Sequence, residues 1–487
     1  MKAAYLIIGL LAGLYLLLAI PWPEPPVPLE GAAGGFAWNR DDYWQGLEAR
    51  YAVARAGGCE HADSVAAGGL RRLETLHRRL LEEELEPQDP LLDSLETGFF
   101  DVGPYVAACP AYLPEYERLA ARLREGIKWQ SAGWDVTSPV ARARLYRSLY
   151  GFRGAVEEVM LQHPDRVVPL LMGVDEPSAT PSTVVQGVTI HSGDMLVSRG
   201  GYPTSALIAR GNDYPGNFSH VALAYVDSAT GNAYTIEAHI ERGVAISSAE
   251  EYLADKKLRI MVLRPRADLP AIAADPMLPH RAALAMFQRA REGHIPYDFA
   301  MDYSEPSRLF CSEVASAAYA RFGIRLWMGI STISSPGLRR WLASFGVRHF
   351  ETQEPSDLEY DPQLVVVAEW RDGAALRGDH IDNAVIDAML EGAEAGDRLS
   401  YPWYQLPLVR VAKGWSWILE RFGRVGPVPE GMSAAAALRN KAFSERQRHL
   451  ATTVAAAADS LARRQGYPPP YWTLLDLARA AAGIEPR

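Results

Sequence analysis

The sequence predicts an α+β fold: an antiparallel sheet packed on helices, with mostly helical regions on either side. Three observations carry this. Apolar residues recur at helical spacing, with charged faces between them, in LRRLETLHRRLLEEEL (70–85) and YLPEYERLAARLREGI (112–127). From 166 to 265 the pattern changes to short β-rich runs separated by glycine turns. Helical periodicity returns over 278–345, and amphipathic stretches such as VAKGWSWILERF (411–422) occupy the tail.

Taken in order, the first element is an uncharged stretch over 3–20 behind Lys2. Its 18 residues are just enough to cross a bilayer. The lone Lys2 on the short side favours an orientation with the body exported. A cleaved signal peptide is the alternative; its apolar core usually spans about 7–15 residues and ends at a small-x-small site. Here the segment ends LLLAIPWPEPP, with Trp22 where an interfacial anchor would sit. The expectation is a single-pass anchor over 1–20, a Pro/Gly linker over 21–37 and an extracytoplasmic body. That body divides into a helical region at 38–165, a mixed domain at 166–350 and a mostly helical region at 351–487. The Trp and Leu stripes of that last region read as core.

Composition narrows the function. The chain has 487 residues, 48% hydrophobic and 22% charged, enough to bury a substantial core. A net charge of −10 without a basic stripe argues against a nucleic-acid partner. Of the three cysteines, Cys59 and Cys109 lie in one region. In an oxidising compartment they are expected to pair, closing a loop of about 50 residues worth roughly 4 kcal/mol. Cys311 is then the odd one out.

The hairpin SHVALAYV (219–226), DSATGN (227–232), AYTIEAH (233–239) yields a geometric inference. Side chains alternate along a strand, so Thr235, Glu237 and His239 share one face. If Val226 pairs with Ala233, His220 falls opposite His239 and diagonal to Glu237; a two-residue shift puts it opposite Glu237. Either way an imidazole and a carboxylate lie on one face, within about 5–8 Å at the backbone. About 90 residues later, LFCSE (309–313) opens a helix that runs to a glycine stop at Gly323. Cys311 at that N-terminus meets unpaired N–H groups and the positive end of the dipole, which favour a thiolate and lower its pKa. The same N–H groups suit an oxyanion. Singly, a buried Cys and an outward-facing Glu have ordinary explanations; together they point to a thiol nucleophile with an imidazole base. His220, His239, Glu237 and Cys311 are also zinc-ligand types, but no HExxH or CxxC spacing accompanies them, so neither a metal nor a cofactor is expected.

The stretches GDMLVSRG (193–200), SHVALAY (219–225), IEAH (236–239), YDFAMD (297–302) and FCSEVASAAY (310–319) resemble the circularly permuted branch of the NlpC-type papain-like hydrolases, the YiiX-like group. The resemblance spans roughly 180–345, with the His strand ahead of the Cys helix as in that branch. It implies a permuted papain-like domain with Cys311 as nucleophile, His220 as base and Glu237 orienting the imidazole; His239 stays open as an alternative third residue. Tyr202, Tyr297 and Ser312 are candidates for lining the site. The implied reaction is amide hydrolysis through a thioester, on peptide and in particular cell-wall substrates. Lipid acyl hydrolysis or transfer is the alternative substrate class, and an inactive binding module is the non-enzymatic one.

Overall fold

The computed structural model describes residues 2–22, 27, 35–36, 38 and 41–484. Most of the linker expected at 21–37, and the polar tail at 485–487, lie outside the described residues. The first helix, α1 (Lys2–Ala19), stands apart from a bundle of five: α2 (Asp41–Gly57), α3 (Cys59–Glu82), α4 (Pro90–Ala108), α5 (Leu113–Ser131) and α6 (Pro139–Gln162). The apolar stripes seen in the sequence form the bundle's core: Leu70, Leu73 and Leu80 of α3 meet Phe99 of α4 and Leu119 and Leu123 of α5. Glycine allows the close crossings, since a Cβ on Gly69 would sit 2.6 Å from Val102 and one on Gly126 2.7 Å from Leu80. A disulfide ties Cys59, the first residue of α3, to Cys109 at the end of α4. Replacing both by alanine is expected to destabilise the bundle by roughly 2–4 kcal/mol, read as the urea unfolding midpoint against the oxidised parent. An unchanged midpoint would leave the bridge without a stabilising role.

The middle of the chain runs β1 (Leu170–Met172), β2 (Ser182–Val185), β3 (Val188–His191), β4 (Met195–Gly200), α7 (Pro203–Arg210), β5 (His220–Val226), β6 (Ala233–His239), β7 (Gly243–Ser248), α8 (Ala249–Ala254), β8 (Lys257–Pro265), α9 (Pro270–Ala274) and α10 (Leu278–Glu292). Then come α11 (Cys311–Ala320), β9 (Ser331–Thr332), α12 (Pro336–Phe345), β10 (Glu351–Thr352), α13 (Asp357–Tyr360) and β11 (Leu364–Arg371). The chain closes with α14 (Gly373–Glu394), α15 (Leu406–Glu420), α16 (Ala434–Gln465) and α17 (Tyr471–Ala482).

Seven strands form one antiparallel sheet in the order β1-β11-β8-β4-β5-β6-β7. The fold is α+β, with helical regions before and after the sheet domain, and β11 joins the sheet from beyond residue 350. Val197, Val221, Leu223 and Met261 face the core shared with Met286 of α10 and Val314 of α11. Leu196, Ala222, Ala224 and Val262 cluster with Val188 and Ile190 of the small β2–β3 hairpin and with Tyr252 of α8. Helix α7 falls within a stretch rich in glycine, proline and asparagine (200–218), residues that favour loops. Pro203 occupies its first turn, where the missing N–H is harmless, and eight residues are too few to show a period.

Buried charges join the three regions. Arg153 of α6 reaches Glu359 of α13 (2.6 Å) and Glu369 of β11 (2.7 Å). Its neighbour Glu157 pairs with Arg259 of β8 and with His380 of α14.

Two expectations fail here. No helix among the described residues is long and apolar enough to cross a membrane, so the single crossing expected over 1–20 is not supported. The tail's aromatic stripe is also not core. Leu474, Phe443 and Leu450 of α16 and α17 are buried against α12 and α14, but Leu408, Trp415, Trp417 and Phe422 in and just after α15 are exposed. Amphipathic periodicity reveals that a stripe exists, not which way it turns.

Candidate active site

The register places the hairpin residues. Val226 pairs with Ala233 and Ala222 with Glu237, so His220 lies at the level of His239 on the face that carries Glu237. His220 Nε2 is 2.7 Å from Glu237 Oε2, and His239 Nε2 is 3.5 Å from Glu237 Oε1. The two imidazoles sit 5.7 Å apart between ring centroids. Thr235 adds a hydroxyl 3.4 Å from Glu237 Oε1. Burial alone would raise the Glu237 carboxyl; the hydrogen bonds and charges of His220 and His239 outweigh it and hold the group well below the usual carboxylate range. The contact through Nε2 leaves the Nδ1 edge of His220 turned away from the carboxylate. His239 also contacts Arg242 (3.1 Å), so Glu237 makes its shorter contact with His220.

Cys311 is the first residue of α11, which lies along β5. Its Sγ is 3.8 Å from Ser219 O, the carbonyl preceding His220, and 3.9 Å from Ser312 Oγ. No thiol–imidazole hydrogen bond forms between the two among the described residues; such contacts commonly tighten only when substrate arrives. The helix terminus alone predicts a lowered thiol pKa, and the structure reverses that. Burial pushes Cys311 up to about 12, only partly offset by the Ser312 hydroxyl and nearby backbone N–H groups. Burial thus favours the neutral thiol at rest.

The loop ahead of α11 is clamped to it. Tyr297 bridges to Leu309, and the Asp298 carboxylate accepts from the N–H groups of Ala300 (2.9 Å) and Asp302 (2.6 Å). This gives the YDFAMD stretch a local role: its aspartate holds the turn that presents Tyr297. Burial raises the Tyr297 phenol well above its usual range, and the proximity of Cys311 adds to this, so Tyr297 lines the thiol's surroundings. Ser312 is fully buried beside the sulfur. Tyr202 is different: it is exposed at the start of α7 and has no hydrogen bond to Cys311, His220 or Glu237 among the described residues.

Two further acids belong to this neighbourhood. Glu313 accepts from Phe310 N (2.9 Å) at the mouth of α11, and burial raises it to about 8. Glu354 is buried close enough to raise both Cys311 and Tyr297, and burial lifts its own carboxyl well above the usual range. Its backbone N–H bonds Asp357 (2.8 Å), which Arg142 of α6 pairs at 2.7 Å, so the helical bundle braces the loop. Nothing local in QEPSD marks Glu354; only the packing of 353–357 against α11 finds it. Among the described residues, Cys59, Asp63 and Cys109 form the one cluster of metal-ligand types, and the disulfide uses both of its sulfurs.

A thiol at a helix N-terminus, a histidine strand ahead of it in the chain, and a carboxylate on the adjoining strand form the arrangement expected of a papain-like fold with permuted chain order. Residues 189–368 match the family model of the permuted papain-like amidase enzymes, the YaeF/YiiX, C92 family. That match supports a cysteine hydrolase of amide bonds. The crystal structure of the metalloprotein yiiX from Escherichia coli O157:H7 is similar at 19% identity and a TM-score of 0.29, over 36% of this chain and 95% of that one. No curated protein matches the chain.

Proposed function

We propose that the chain cleaves a peptide-type amide through a thioester on Cys311, with His220 as base and Glu237 orienting it. The observation that carries this is the 2.7 Å contact of His220 Nε2 with an ionised Glu237, at the strand end where Cys311 Sγ approaches Ser219 O. Because the resting thiol is neutral, proton transfer accompanies attack. His220 Nδ1 takes the thiol proton as sulfur bonds to the carbonyl carbon. The N–H groups opening α11 stabilise the oxyanion. The carbon–nitrogen bond then breaks, and the proton passes from His220 to the leaving amine. Water attacks the thioester, its proton goes back through His220, and the acid product leaves with the thiol restored.

The disulfide supports an extracytoplasmic location, where a cell-wall peptide is within reach. Intact-protein mass spectrometry tests the reading. After exposure to cell-wall stem peptides, an acyl mass is expected on the parent and not on Cys311→Ala. An adduct formed only with lipid extracts would move the reaction to acyl lipids. No adduct with either would leave the inactive-module reading standing.

A further inference from the structure

Surface helices of globular proteins turn their apolar stripe inward; α15 does the reverse. Leu408, Val411, Trp415, Ile418 and, just past the helix, Phe422 follow one another at steps of three and four and share its outer face. Leu408 is 68% exposed, Trp415 54% and Phe422 77%. The polar groups of the helix point the other way. Ser416 is buried, and Lys413 Nζ donates to the carbonyls of Pro429 (2.6 Å) and Glu430. Exposed apolar faces of this extent mark an interaction surface.

The face is continuous with a second one. Helix α1 is exposed and almost wholly apolar from Tyr5 to Leu17, and its end docks on α15. Arg410 donates to Leu18 O (2.6 Å) with its guanidinium 5.9 Å from the Trp22 ring, and the Tyr15 hydroxyl reaches Tyr404 O.

We propose that the outer face of α15, with α1 beside it, docks on a lipid bilayer at the level of the headgroups. The composition fits that occupant. Trp22, Trp403, Tyr404 and Trp417 are exposed around the apolar stripe, and amphipathic rings favour the interface. Arg421 and Arg424 are exposed at its end, whereas the one acid between 403 and 425, Glu420, is half-buried. On a chain of net charge −10, this leaves a locally cationic rim suited to anionic headgroups. The surface also adjoins the catalytic region. Beyond α15, Val428 and Met432 pack on Ile240 and Phe299, the residues that follow His239 and flank Tyr297. Docking would therefore bring the site's surroundings to the membrane surface, whichever carbonyl Cys311 attacks.

The test uses the purified full chain and extruded vesicles of phosphatidylcholine, with and without phosphatidylglycerol. The combined Leu408→Ser, Trp415→Ser, Phe422→Ser variant is expected to lose about tenfold or more in partition to both. The Arg421→Glu, Arg424→Glu variant should lose affinity only for the anionic vesicles. In the parent, brominated lipids should quench a fraction of the tryptophan fluorescence that shrinks in the Trp415→Phe, Trp417→Phe variant. Parent-like partition of the serine variant, or no difference in quenching, overturns the proposal. So does a parent dimer that the serine variant dissolves without changing lipid partition, because the face would then join two copies of the chain.

Discussion

His220→Ala is expected to slow acylation of Cys311 at neutral pH by about 10²–10⁴-fold. The reason lies in the thiol. Burial lifts Cys311 to about 12, so at pH 7 almost none of it is thiolate, and attack needs a base at the moment of bond formation. In the proposed mechanism His220 Nδ1 is that base, with Glu237 held on Nε2. Without the imidazole, hydroxide must remove the proton, and the residual rate climbs with pH. The gap between parent and variant should therefore narrow as pH rises toward 9. The measurement is the rate of appearance of the acyl mass on Cys311, with an activated acyl donor, across that range. Equal rates at neutral pH would remove His220 from the mechanism. A plateau in the variant below pH 7 would mean a thiol already ionised, contrary to its burial.

Arg153→Ala is expected to cost about 3–5 kcal/mol, the usual consequence of leaving buried carboxylates without their counter-ion. Glu359 and Glu369 both lose their shortest ion pair, whereas Glu157 keeps Arg259 and His380. The sign with pH follows from Glu369. Burial alone would raise its carboxyl, but Arg153, Arg371 and Arg124 more than offset that and hold it at about 2, below its ordinary value of about 4.5. A depressed carboxylate contributes stability above its unfolded value and loses it as pH falls toward the folded one. The parent should therefore weaken between about pH 4.5 and 2, and the variant's deficit in urea midpoint should be larger at pH 7 than at pH 3. A deficit independent of pH would show that lost packing, not charge, carries the effect.

The parts of this molecule legible in the sequence are those fixed by local periodicity. A strand period of two and a six-residue turn put His220 and Glu237 on one face, and the register of Val226 with Ala233 keeps them there. The helix opening at Cys311 was legible from its apolar repeat and its glycine stop. The thiol's environment was not, because its burial against Ser219, Tyr297 and Glu354 depends on segments apart in sequence. Glu354 itself has no local signature. Helix α7 hid behind turn-forming residues, and the outward stripe of α15 looks the same as a core stripe until its neighbours are in place.

The short strand β1 has a consequence for the autonomy of the sheet. It covers β11, pairing Leu170 with Trp370 and Met172 with Ala368. Residues 189–368 hold the site but not β1, and they stop within β11. A fragment cut to those bounds would leave the Val366 and Val367 carbonyls, which accept from Val174 and Gly173, unpaired and open to another chain. The segment between the bundle and the sheet thus covers that edge, and the preceding helices lead the chain into it.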